Sequence, residues 1–176
     1  MQDILIVIDM QKDFVTGALG TIEAQHILPR VVEKIRNFAG EIICTLDTHG
    51  EDYMETQEGK LLPVAHCIAG TSGHTLCEEL LALEQIQRAA KFEKNTFGSL
   101  ALMEALVKRG NTIASITCIG VCTDICVVSN ALLIKAALPE VPVAVDVSCC
   151  AGVTQEKHLA AIEILQSCQV QITGMA

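Results

Sequence analysis

The feature that most constrains this chain is a set of short, nearly unbroken apolar runs, each closed by a polar residue. Residues 4–8 (ILIVI) end at Asp9, residues 41–46 (EIICTL) at Asp47, and residues 141–145 (VPVAV) at Asp146. Residues 113–119 (IASITCI) are β-rich and end at Gly120. A strand with one wet face alternates apolar and polar residues, whereas one covered on both faces does not, and such coverage belongs to parallel sheets flanked by helices. The composition fits that reading: 51% of residues are hydrophobic, with no Trp and one Tyr, and the mean hydropathy is +0.43. Ile, Val, Leu, Ala and Cys must fill the core.

Helical patterns lie between these runs. Residues 27–38 predict a helix with Pro29 near its start, Val31, Val32 and Ile35 on one side, and Gly40 as its stop. Residues 76–83 read as a short helix and 86–92 as a weaker third strand ahead of Lys94. Residues 99–108 form an amphipathic helix stopped by Arg109-Gly110, and a further helix spans roughly 124–137. The helix over 154–167 starts at a Thr N-cap, but Lys157 stands where a full capping box needs Glu or Gln. Residues 170–173 are a last strand. Strands and helices alternate without a linker or repeat, which predicts one domain over residues 1–176, of three α/β/α layers around a mostly parallel six-stranded sheet. The interval 48–75 is long, polar and without period, as functional loops are. Ligands of such sheets bind beyond the carboxyl ends of the strands, where this assignment puts Asp9, Asp47, Lys94 and the turn from Cys122 to Cys126.

The formal net charge is −9 and no block of Lys or Arg occurs, which makes nucleic acid and anionic membranes poor partners. The N-terminal stretch has no basic segment and too short an apolar run for a signal peptide, and no stretch is long enough to span a bilayer. The nine cysteines are odd in number and include no CxxC spacing. That is a reduced pattern rather than a disulfide framework, and it predicts a cytoplasmic location.

Cys126 stands just past a strand, a glycine and a short turn, at the mouth of a helix. Unpaired backbone N–H groups and the helix dipole there favour thiolate over thiol; the competing reading is a core cysteine. A thiolate that attacks a carbonyl needs a base, a cation and oxyanion donors. Asp9, at the end of an apolar strand, suits the base, because desolvation raises a carboxyl pKa; it could equally cap a loop. Lys94 suits the cation, against the reading of a solvated lysine. The oxyanion donors would be the backbone N–H groups of Cys122 and Cys126. Asp13, four residues after Asp9, reads as a turn or surface charge. His26, His74 and His158 fall outside any grouping and read as surface or packing residues.

Asp47 and His49, two apart on an extended segment, point the same way, and Glu58 and His66 follow in the same loop. Two carboxylates and two imidazoles suit a zinc-, manganese- or iron-like divalent ion completed by water; the alternative is an Asp–His hydrogen bond within a loop.

The segments DMQKDF (9–14), DTH (47–49), LPVAHC (62–67), EKNTFGSL (93–100) and GVCTDICVVSNAL (120–132) together resemble the isochorismatase-like cysteine hydrolases, especially the nicotinamidase-related branch. The resemblance implies a Rossmann-like fold and an Asp–Lys–Cys triad at Asp9, Lys94 and Cys126. It also implies a cis peptide between Val121 and Cys122, next to the oxyanion site. It places metal ligands at Asp47, His49 and His66, with Glu58 added in some members, and zinc as the expected ion. The reaction it implies is acyl transfer from a small amide through a thioester, with nicotinamide first among substrates.

One departure bears on the substrate. The branch generally carries a stacking aromatic shortly before the His-Cys pair, where this chain has Leu62 or Pro63. Phe14, Tyr53 and Phe97 are the remaining aromatic candidates for the substrate pocket. Rival readings are a hydrolase of an N-carbamoyl compound or ureide, a thiol redox protein using Cys122 and Cys126, and a silent binding member of the fold. The apolar composition and the family habit of assembly predict a homo-oligomer.

Overall fold

The computed structural model describes residues 1–175. Its sheet has six strands: β1 (Gln2–Ile8), β2 (Glu41–Asp47), β3 (Ala90–Lys94), β4 (Ile113–Val121), β5 (Val143–Ala151) and β6 (Gln171–Thr173). Their order is β3-β2-β1-β4-β5-β6, and every neighbouring pair is parallel. The chain therefore builds outward from β1 in one direction, returns, and builds outward from β4 in the other. That reversal leaves a crevice beyond the carboxyl ends of β1 and β4, where open α/β sheets bind ligands.

The helices are α1 (Lys12–Val15), α2 (Ile22–Asn37), α3 (Gln57–Leu61), α4 (Glu78–Leu81), α5 (Glu84–Arg88), α6 (Leu100–Arg109), α7 (Val128–Ala137) and α8 (Gln155–Ser167). They cover both faces. Leu5 and Val7 of β1 join Ile27, Val31 and Ile35 of α2 in one core; Ile4, Ile6 and Ile8 join Leu102, Leu106, Ile134 and Leu165 in the other. The alternating side chains of one strand feed two dry cores, which is why β1 reads as a continuous aliphatic run. Among the described residues no helix is long and apolar enough to cross a membrane.

Several boundaries differ from expectation for identifiable reasons. Helix α2 begins five residues earlier than predicted, because the Thr21 hydroxyl accepts the Ala24 N–H at 3.0 Å and caps it; Pro29 then lies inside the helix. The predicted strand over 86–92 splits: Ile86 is buried in α5, and β3 starts only at Ala90. Leu80 of α4, Ile86 of α5 and Leu83 in the extended link between them are all buried, whereas β3 is an edge strand with one buried residue, Lys94. The predicted helix over 76–83 is α4 alone. Strand β5 runs past Asp146 through Cys149 and Cys150 to Ala151, and Cys150 pairs with Gly120 of β4. Gly120 has φ +120°, and a Cβ there would lie 2.1 Å from the Ile8 carbonyl oxygen. Only glycine lets β1 and β4 approach so closely beneath the crevice.

Candidate active site

Asp9 follows the last residue of β1 in the left-handed region at φ +50°, a costly conformation for a residue with a side chain. Its backbone makes a tight turn, with the Gln11 N–H donating to the Asp9 carbonyl at 2.7 Å. The side chain is fully buried. Oδ1 accepts the Thr45 hydroxyl at 2.6 Å, and Oδ2 lies 2.7 Å from Lys94 Nζ. That second approach is a charge contact rather than an aligned hydrogen bond, so Oδ2 keeps acceptor capacity. The Cys126 thiol adjoins the same carboxylate.

Lys94, at the tip of β3, lies at the centre of the cluster. Its ammonium is 3.6 Å from Cys126 Sγ and 3.3 Å from Asp47 Oδ1. Burial alone would push the lysine toward neutrality, but the Asp9 and Asp47 carboxylates reverse this and hold it firmly cationic.

The Val121–Cys122 peptide is cis, and a π-helical turn over Thr123–Val127 follows it. Helix α7 continues directly from that turn at Val128, so Cys126 lies in the opening, π-helical turn of the helical segment. The sequence argument for a resting thiolate is corrected by burial: Cys126 is 6% exposed. Desolvation and the Asp9 carboxylate push its pKa well above the ordinary thiol value despite the lowering effect of Lys94. Desolvation also raises Asp9, with Lys94 acting the other way. At rest the sulfur is a thiol beside a carboxylate of raised basicity. Cys122 is a different case: it packs against the core on the opposite face from Cys126, and burial pushes it up to about 12. All nine cysteines are free, and the split between cores removes the ground for a Cys122–Cys126 redox pair.

The long loop is folded, which brings distant residues together. Its two ends zip where the His49 N–H donates to the Cys67 carbonyl and the Ala69 N–H to the His49 carbonyl. Asp47 Oδ2 then lies 2.9 Å from His49 Nε2 and 3.4 Å from His66 Nε2. The three ligand atoms fall within 4.8 Å of one another. Glu58, in the first turn of α3, stands farther off, with Oε1 3.9 Å from both imidazole Nε2 atoms. His66 Nδ1 is 2.8 Å from the Val64 carbonyl, so Nδ1 carries a proton and Nε2 is the ring nitrogen turned to the cluster, as ligating histidines are held. Burial pushes Asp47 up, but the two histidines and Lys94 outweigh it and hold the carboxyl below its ordinary range. One anionic oxygen and two imidazole nitrogens, converging and buried, fit a divalent transition ion.

The aromatic candidates separate. Phe97 lines a cleft of about 710 Å³ that borders the cluster at His49 and Glu58 and also takes in Leu61, Leu62 and Ile125. Phe14 backs His66, ring centroids 5.5 Å apart, and is not among the cleft residues. Tyr53 is fully buried; its ring edges meet His49 and His66 and its hydroxyl donates to the Leu62 carbonyl. It supports the imidazoles from behind and has no free face for a ligand, which corrects its assignment as a substrate contact.

Several positioning residues escaped the sequence reading. Gln11 is buried and clasps the end of β2: Nε2 donates to the Asp47 and His74 carbonyls, and Oε1 accepts the Asp47 N–H, each at 2.8 Å. Asp13 is no surface charge, since Oδ2 accepts the Cys67 N–H at 2.8 Å and fixes the returning loop. Thr45 is the one polar side chain inside an aliphatic strand, a signal visible in the sequence. So is Asn130, one helical turn after Cys126 in an apolar helix. Its Nδ2 donates to the Cys126 and Phe97 carbonyls and its Oδ1 accepts the Ser99 N–H. Asn130→Ala should cost about 2–4 kcal/mol, since it strands buried partners; urea unfolding checks this. Cys149 and Cys150 do not reach the cluster: Cys150 lines a separate cavity of about 260 Å³ bordered by His26, Arg30 and His158.

The Isochorismatase domain model matches residues 3–176. A Bacillus subtilis (strain 168) isochorismatase family protein, PncA, is 31% identical over 144 residues, which is 75% of this chain and 78% of that protein. The pyrazinamidase of Pyrococcus horikoshii, solved in complex with zinc, superposes with a TM-score of 0.84 at 27% identity, over 99% of this chain and 100% of that one. The nicotinamidase/pyrazinamidase PncA from Bacillus subtilis does so with a TM-score of 0.81 at 26% identity, over 98% and 100%. With the domain model spanning nearly its whole length and a six-stranded parallel sheet of the matching kind, this chain belongs to the isochorismatase family.

Proposed function

We propose that this protein is a cysteine amidohydrolase of small carboxamides, with nicotinamide the first candidate, working through Asp9, Lys94 and Cys126. The observation that carries the proposal is the buried ammonium of Lys94, 2.7 Å from Asp9 Oδ2 and 3.6 Å from Cys126 Sγ. It joins a base of raised pKa and a thiol that needs one. The zinc-bound pyrazinamidase and the nicotinamidase/pyrazinamidase of similar fold support the same reading.

In the proposed cycle, Asp9 takes the thiol proton as Cys126 Sγ attacks the amide carbon and a C–S bond forms. The carbonyl oxygen becomes an oxyanion, which the backbone N–H groups of Cys122 and Cys126 receive. Lys94 keeps the transient sulfur and carboxylate charges balanced in a buried site where screening is weak. Asp9 returns its proton to the amide nitrogen, the C–N bond breaks, and ammonia leaves a thioester on Cys126. Asp9 then takes a proton from water, which attacks the thioester; the carboxylic acid departs and the thiol is restored. Asp47, His49 and His66 would hold a divalent ion, zinc ahead of manganese or iron, with Glu58 within reach through water. When bound, such an ion supplies a Lewis-acid seat for a substrate lone pair.

The direct test is ammonia release from nicotinamide and a panel of small amides. Dialysis against a chelator should lower kcat/KM by about 10²-fold, the scale of losing substrate orientation. Zinc or manganese should restore it, and full turnover by metal-free protein would contradict the ion's role.

A further inference from the structure

Resting on that reading, we propose that the cleft takes carboxamides larger than a single ring, with an apolar body and an uncharged or cationic far end, and turns away amides that carry a carboxylate. Size is the first ground. At about 710 Å³ the cleft lies in the range that holds drug-sized ligands, far more room than one six-membered ring with its amide can fill.

The second ground is the wall. Leu61 is 80% exposed, Leu62 38% and Phe97 47%, and all three line the cleft beside Ile125, the residue before Cys126. Leucines on α3 and at its end, left wet in the free protein, give an aliphatic arm a surface to cover.

Charge is the third. Among the lining residues are two acids, Asp52 and Glu58, and neither Lys nor Arg. Lys94, which precedes the lining residue Asn95, has a side chain only 2% exposed and is held between Asp9 and Asp47. His49 Nε2 is turned to Asp47. A carboxylate at the far end of the substrate, beyond the ion that Asp47, His49 and His66 would hold, would therefore lose water with no Lys or Arg in the lining to receive it and would face Asp52. A cationic end would face Asp52.

The test compares four pyridine carboxamides that carry hydrogen, propyl, aminopropyl or carboxyethyl at the same ring carbon. Calorimetry on the full-length Cys126→Ala protein reads binding, and kcat/KM of the wild-type protein reads turnover. The propyl and aminopropyl compounds should bind at least about tenfold more tightly than the unsubstituted amide, and the carboxyethyl compound at least about tenfold more weakly than the aminopropyl one. Asp52→Lys should narrow or invert that last ratio. Equal binding of the two charged compounds, an unaltered ratio in Asp52→Lys, tightest binding of the bare ring, or binding of none would overturn the proposal. If the binding order holds while the wild-type protein hydrolyses none of the four, the amidohydrolase reading fails and the selectivity stands. If all four are hydrolysed with equal kcat/KM, the selectivity fails and the hydrolase stands.

Discussion

Cys126→Ala should lower amide turnover at least about 10⁴-fold, the scale of removing a covalent nucleophile from an intact site, and leave the fold in place. The sulfur is buried, so its loss opens a small cavity costing about 1 kcal/mol, too little to unfold the chain. No neighbour can replace it. Cys122, four residues earlier, packs against the opposite core and its thiol is pushed up to about 12. Cys122→Ala should therefore keep most of the activity. Equal losses in the two variants, with circular dichroism unchanged in both, would point to a shared thiol function and away from a single nucleophile.

Asp9→Asn should lower kcat by about 10²- to 10⁴-fold, the range for loss of a general base, with KM little altered. The amide has nearly the same shape and still offers Thr45 an acceptor, but it cannot take the thiol proton. The need for that base is acute because Cys126 is not ionised at rest: burial and the facing carboxylate both favour the neutral thiol. Lys94 would keep Asp47 at 3.3 Å, so the substitution does not leave its ammonium alone, and the loss of stability should stay below the several kcal/mol typical of a broken buried pair. Steady-state kinetics together with urea unfolding separates the two effects. A KM that rises while kcat holds would assign Asp9 to binding instead.

Much of this arrangement is legible in the chain. Strands buried on both faces must be aliphatic, so β1 and β2 announce themselves and their closing acids mark the ligand-binding edge. Asp9, Asp47, Lys94 and the Cys126 turn do meet beyond the sheet. Asp47, His49 and His66 converge because the 48–75 loop folds back and pairs with itself, a closure that spacing alone does not specify.

Other features were illegible for physical reasons. The cap at Thr21 outweighed the proline signal at Pro29, and Ile86 could have served a strand or a helix until its neighbours chose. Tyr53 looked like a substrate contact because aromatic character says nothing of which way a ring is covered. The charge state of Cys126 is the most instructive case. A cysteine at a helix mouth suggests a stabilised anion, but that argument omits desolvation, which depends on groups brought in from β1, β2 and β3. The supporting residues Gln11, Thr45 and Asn130 left a fainter trace, polar side chains in apolar surroundings whose partners only the fold supplies.

The central claim is that Cys126 carries the acyl group between amide cleavage and release of the acid. Rapid acid quench of the wild-type protein during turnover of nicotinamide, followed by peptide mass spectrometry, reads this directly. The account predicts a pyridine-acyl mass increment on the peptide containing Cys126, absent in Cys126→Ala and lost on treatment with hydroxylamine. Ammonia released at full rate with no increment on that peptide at any quench time, and with turnover retained in Cys126→Ala, would contradict it.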